Sequence, residues 1–204
     1  SYARVRTGGK TILFGGDLGR YSRPVLPDPT TVAEADVLLV ESTYGDRLHD
    51  PDDDGAQLAE IIRTTAKRGG KVIIPAFALG RVEELLYWIK LLEDRRQIPE
   101  LPVYVDSPMA SEVLVQYRKR ANELDDDLAK EGAGPLARAT KGLSLFATAK
   151  LRVVSTIPES RQVQESNDAA VVISASGMAT GGRVLHHLIH ALPDARNTVL
   201  FAGY

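Results

Sequence analysis

What most constrains this chain is an alternation that persists along most of its length: short apolar runs, each followed by a longer amphipathic run. The apolar runs are Asp36 to Glu41, Lys71 to Pro75, Val103 to Val105, Arg152 to Ser155, Ala170 to Ser174 and Thr198 to Phe201. Between them fall helical patterns over Gly55 to Arg68, Arg81 to about Arg96, a stretch starting near Ala110, Glu159 to Glu165, and Arg183 to Ala191. Strands alternating with helices in this way predict an α/β domain built on a largely parallel sheet. The first helix places Leu58, Ile61 and Ile62 on one face and stops at Gly69-Gly70. In the second, Leu85, Leu86, Tyr87 and Trp88 stand at helical spacing, and core packing is their default role. The run Asp36 to Glu41 reads as a buried strand.

The opening is different. Tyr2 to Arg6, Thr7-Gly8-Gly9-Lys10 and Thr11 to Phe14 read as a β-hairpin with a glycine turn, followed by a loop holding Pro24, Pro27 and Pro29. Residues 121 to 150 lack a strong period and read as an insertion. The chain begins inside a hairpin and stops directly after an apolar strand, so both ends are expected to be cuts in a longer protein.

Composition removes several classes. There is no cysteine, which excludes disulfide frameworks and thiolate zinc sites and fits a cytoplasmic setting. No apolar run approaches the ~18–20 residues of a membrane span, and the first ten residues carry no signal-peptide core. Net charge is −2 over 204 residues, so any grip on phosphates must come from a local arrangement. The acidic runs at Asp50, Asp52, Asp53 and Asp54, and at Asp125 to Asp127, read as solvated helix starts, where carboxylates complement the helix dipole.

In a parallel sheet, ligands gather at the carboxyl ends of the strands, where helix N-termini and loop amides point. Five junctions there carry unusual residues. The segment Ser174 to Arg183 runs from a strand through Ser176, Gly177, Thr180, Gly181 and Gly182 into a helix opened by Arg183. Small residues let a phosphate approach the amides, hydroxyls add donors, and Arg183 could clamp an anion; the same glycines would equally suit a tight helix-packing turn. The loop is neither a Walker A sequence nor a dinucleotide fingerprint, because its glycine spacing fits neither and no lysine is in place. Asp17 lies between glycines after a strand, a place for a metal ligand or a turn residue. Glu41 closes an apolar strand, where it either reaches solvent or needs a partner. Arg81, from Ala76 to Arg81, and Ser107, from Asp106 to Ala110, occupy two further junctions. His186 and His190 have zinc-protease spacing, but His187 stands where that motif needs its glutamate. A helix face meeting solvent or a neighbouring domain is the better account of them.

Taken together, FGGDLGR, ESTYGDR, PAFALGRVEELL, VDSPMA and SASGMATGGRVLHHL resemble, in order and spacing, the β-CASP family of the metallo-β-lactamase superfamily. That resemblance covers nearly the whole chain. It implies a Rossmann-like parallel-sheet β-CASP domain over residues 49–204, and part of a metallo-β-lactamase (αββα) lobe over residues 1–48. It also implies an RNA-processing nuclease in which two zinc ions in the metallo-β-lactamase lobe activate water, with RNA threaded between the lobes; a homodimer is allowed. DNA-repair members are less similar in the glycine-rich loop, so RNA is favoured. By the resemblance, Asp17 is the aspartate that bridges both metals, and Glu41 orients a catalytic histidine from beyond the cap. Arg81, Ser107, Ser176, Gly177, Thr180, Gly181, Gly182 and Arg183 would face substrate phosphates. The family's H-x-H-x-D-H motif and later histidine motifs are not in this sequence, so by itself the chain is expected to be inactive. Two other readings are carried forward. One is a non-catalytic RNA-binding scaffold of the same family, against which the retention of Asp17 and Glu41 counts. The other is a nucleotide-binding Rossmann domain, which the glycine spacing disfavours.

Overall fold

A computed structural model of the chain describes residues 2–48, 53–125, 128 and 146–202. Its strands fall into two sheets. The first is small: β1 (Ala3–Thr7) turns back antiparallel onto β2 (Lys10–Phe14), and β2 pairs in parallel with β3 (Val37–Leu39). The hairpin is the one read from the glycine turn. The buried character expected of the third strand is not met. Val37, Leu38, Leu39 and Val40 are all about half exposed, because among the described residues no layer packs over the strand.

The second sheet carries the α/β alternation. In chain order its elements are α1 (Ala56–Lys67), β4 (Lys71–Pro75), α2 (Arg81–Asp94), β5 (Val103–Asp106), α3 (Pro108–Lys119), β6 (Leu151–Val153), α4 (Ile157–Glu165), β7 (Ala170–Ser174), α5 (Val184–Ala191) and β8 (Thr198–Val199). The strands lie in the order β6-β5-β7-β4-β8, and every pairing is parallel. Every residue of β4 and β7 is buried, as a central strand covered on both faces requires.

Strand side chains alternate between two cores. Val72, Ile74, Val171 and Ile173 meet Ile62, Leu86, Ile89 and Leu114 from α1, α2 and α3. Ile73 and Val172 meet Val163, Val184 and Ala191 from α4 and α5 on the other side. Fully burying one such aliphatic side chain contributes about 1.5–3 kcal/mol, so this doubly covered sheet is the structural anchor of the chain. Helix ends follow the local chemistry. Asp53 accepts from the amides of Gly55 (3.1 Å) and Gln57 (2.8 Å) at the start of α1. Thr156 and Glu159 form a reciprocal capping box on α4. Of the acidic runs, Asp50, Asp52, Asp126 and Asp127 lie outside the described residues, as does most of the insertion read over 121–150.

Candidate functional site

The site follows from strand order. The chain leaves β4 toward β5 and leaves β7 toward β8, in opposite directions along the sheet. Right-handed crossovers then place α2 and α5 on opposite faces and open a crevice between the carboxyl ends of these neighbouring strands. The loops on its two sides touch. Ala76 N–H donates to the Ser174 carbonyl at 3.0 Å, and the Phe77 ring lies against Gly177. A Cβ on residue 177 would fall 2.9 Å from Phe77. Gly182 is held at φ +80°, and a side chain there would meet the Ala175 carbonyl at 2.5 Å. Both positions require glycine.

Within this loop, Ser176 N–H donates to the Gly181 carbonyl and Ala179 N–H to the Ser176 carbonyl. The amides of Thr180, Gly181 and Gly182 have no hydrogen-bond partner among the described residues, and the Ser176 hydroxyl is buried with none either. Thr180 and Gly182 are exposed and Gly181 half-buried, so these amides are open to a ligand, and successive free amides at a strand-to-helix turn can cradle an anion.

Two expected phosphate contacts are placed otherwise. Arg183 does not reach outward as a free clamp: its Nη1 donates to Asp106 Oδ1 (2.7 Å) and the Val154 carbonyl (3.4 Å), and its Nη2 to the Ser155 carbonyl (2.9 Å). An arginine beside a fully buried carboxylate is drawn inward, because an unpaired buried charge is far costlier than a paired one. Ser107 is nearly buried, and its Oγ accepts from Ala110 N–H at 3.2 Å as the N-cap of α3.

The histidine reading changes as well. His186 and His190 are exposed, as expected, but His187 is 1% exposed and its Nε2–H donates to Asp106 Oδ2 at 2.6 Å. Ser160 Oγ–H donates to the same oxygen at 2.5 Å. Burial works against the Asp106 charge, but the hydrogen bonds from His187, Ser160 and Arg183 outweigh it and hold its pKa below the usual carboxylate value. Asp106 stood in one of the five junctions and His187 among the three histidines, but their pairing was not read from the sequence. The available signal was a charged residue closing the apolar run VYV, which needs a partner inside the fold.

At the first sheet, Asp17 and Glu41 come together. They follow the carboxyl ends of the parallel pair β2 and β3 and line one shallow depression with Phe14, Gly15, Gly16, Leu39 and Val40. Gly15 N–H donates to the Leu39 carbonyl at 2.7 Å, tying the two loops. Glu41 accepts from Leu18 N–H and from Thr43 Oγ–H, each at 3.0 Å. Among the described residues, no three His, Cys, Asp or Glu side chains gather into a metal-binding group.

Arg81 links this region to the crevice. Its Nη1 pairs with Glu84 Oε2 at 2.8 Å, and the other oxygen of Glu84 pairs with Arg23. Burial lowers the Arg81 pKa first; Arg23 and Arg20 lower it further by repulsion, while Tyr44 opposes them. Through Glu84, the Arg23–Glu84–Arg81 pairing ties the stretch after β2 to the start of α2.

The chain matches the Beta-Casp domain family over residues 82–204, and it belongs to that family. Among individual proteins, it is 39% identical over 197 residues to ribonuclease TTHA0252 of Thermus thermophilus, covering 96% of this chain and 44% of that protein. It is 30% identical over 212 residues to transcription termination factor FttA of Methanocaldococcus jannaschii, covering 100% and 32%. It is 31% identical over 209 residues to endoribonuclease ysh1 of Schizosaccharomyces pombe, covering 98% and 25%. The chain thus spans less than half the length of each of these relatives.

Proposed function

We propose that this chain is the RNA-holding part of a metal-dependent ribonuclease. Residues 49–204 form the β-CASP cap, and residues 1–48 belong to a metallo-β-lactamase lobe. One observation carries the reading: at the switch-point crevice, the loop after β7 carries three successive amides, of Thr180, Gly181 and Gly182, with no hydrogen-bond partner among the described residues. That is donor chemistry suited to a phosphodiester backbone. Two relatives named as ribonucleases, aligned over nearly the whole chain, support RNA as the polymer held.

The carboxylates here do not make a zinc site by themselves. Structural and catalytic zinc sites use at least three protein ligands, whereas Asp17 and Glu41 stand as a pair, with both Glu41 oxygens already accepting hydrogen bonds. Asp17 would supply one ligand and Glu41 would act as an orienting acceptor. The remaining ligands for two zinc ions would come from parts of the full-length protein outside this chain. The half-exposed apolar strand β3 fits a lobe whose other layers lie there too. A cytoplasmic setting accords with the absence of cysteine.

The test is cleavage of labelled single-stranded RNA by the full-length protein, with and without chelator, beside its Asp17→Asn variant. Loss of cutting in both cases, with RNA still bound, is expected. Undiminished cutting by Asp17→Asn would remove the catalytic assignment, and the non-catalytic scaffold reading would stand if the unaltered protein binds RNA but never cuts it.

A further inference from the structure

We propose that Asp106 is the positioning residue for RNA binding: by holding Arg183 and His187 from beneath, it fixes the glycine-rich loop in the shape that presents its free donors. This rests on the reading of that loop as the RNA grip.

The geometry is specific. Asp106 closes β5 and is fully buried, and Ser174 Oγ–H donates to its backbone carbonyl at 2.8 Å. One carboxylate oxygen takes Arg183, the residue directly after Gly182. The other takes His187, one turn into α5, together with Ser160 of α4. Both ends of the loop therefore lead to one residue, its start through Ser174 and its finish through Arg183. Arg183 also reaches the Val154 and Ser155 carbonyls, so a single guanidinium joins the ends of β5 and β6 to the loop. Within the loop, Ser176 N–H donates to Gly181 and Ala179 N–H to Ser176. Val184 N–H closes the loop's two ends on the Ala175 carbonyl at 3.1 Å, and the Arg183–Asp106 pair anchors that closed turn to the strands beneath it. This explains why the arginine expected to grip phosphate faces inward instead.

The test measures the affinity of the full-length protein for a short fluorescein-labelled single-stranded oligoribonucleotide, by anisotropy in the presence of chelator so that cutting cannot interfere. Asp106→Asn keeps the shape and removes the charge; binding is expected to weaken at least about tenfold. Arg183→Gln should match it, and Arg183→Lys should recover only part of the loss, since one ammonium cannot span a carboxylate and two carbonyls. The double variant Asp106→Asn/Arg183→Gln should be no worse than either single change. A merely structural role predicts instead a smaller active fraction with unchanged affinity, and additive losses. Thr180→Val and Gly182→Ala probe the loop itself. If these leave affinity unchanged, the RNA-grip reading falls. If they weaken binding while well-folded Asp106 and Arg183 variants bind as the parent does, only the positioning role is overturned. Should Asp106→Asn fail to fold, the comparison of Arg183→Gln with Arg183→Lys decides the matter.

Discussion

Glu83 is the most exacting test of the packing described here. It sits in the first turn of α2 and is 0% exposed, and among the described residues no side chain hydrogen-bonds either carboxylate oxygen. Burial pushes its pKa from the ordinary 4.5 up to about 7, with only the backbone of Glu83 and Gly80 pulling the other way. Because the folded state holds this proton more tightly than the unfolded chain does, stability must fall as pH rises. The fall begins near the unfolded value of 4.5 and is largely complete above about 7. A gap of that size corresponds to roughly 3 kcal/mol, a large share of the ~5–15 kcal/mol that stabilises a typical domain. Glu83→Gln removes the titration and keeps the volume. Urea unfolding of this chain, followed by fluorescence of Trp88, its single tryptophan, reports on the same helix. The variant should match the parent near pH 4 and exceed it by roughly 2–3 kcal/mol near pH 8. A stability difference that does not change with pH would refute the reasoning, because the carboxylate would then not be ionising inside the fold.

The other predictions concern the site. Asp17→Asn in the full-length protein should lower cleavage by at least about a hundredfold while RNA affinity stays within a few-fold, as read by parallel kinetics and anisotropy. Zinc content of the same variant, measured by mass spectrometry, should drop below that of the parent. Gly177→Ala would clash with both the ring and the backbone nitrogen of Phe77, so it should weaken RNA binding and also lower the melting temperature.

Much of the sheet was legible because its strands are apolar at nearly every position and its helices carry clear stop signals. Lys71–Pro75 and Ala170–Ser174 emerge as strands with the bounds read from sequence. The strand Val37–Leu39 shows the limit of that logic. Its composition says buried, but among the described residues no layer covers it, so it stays about half exposed. That Asp17 and Glu41 share one depression followed from the family resemblance, since each strand end alone suited a turn or a solvated carboxylate equally well. The fate of Arg183 was not legible. Its position after a glycine loop pointed outward, and only the three-dimensional placement of Asp106, 77 residues earlier, turns it inward. His187 was obscured for the same reason: three neighbouring histidines look alike in sequence, and burial singles out one of them. Sequence spacing reports which residues share a loop or a helix face, whereas long-range ion pairs depend on which strands end side by side.

The central claim is that RNA lies across the carboxyl edge of the five-stranded sheet. Hydrogen–deuterium exchange of the full-length protein, with and without a single-stranded oligoribonucleotide, addresses it most directly. Protection should appear in residues 76–81 and 175–183 and be absent at the opposite end of the sheet, in residues 163–168 and 190–197. Protection at that far end, with the glycine-rich loop exchanging as freely as before, would contradict the account.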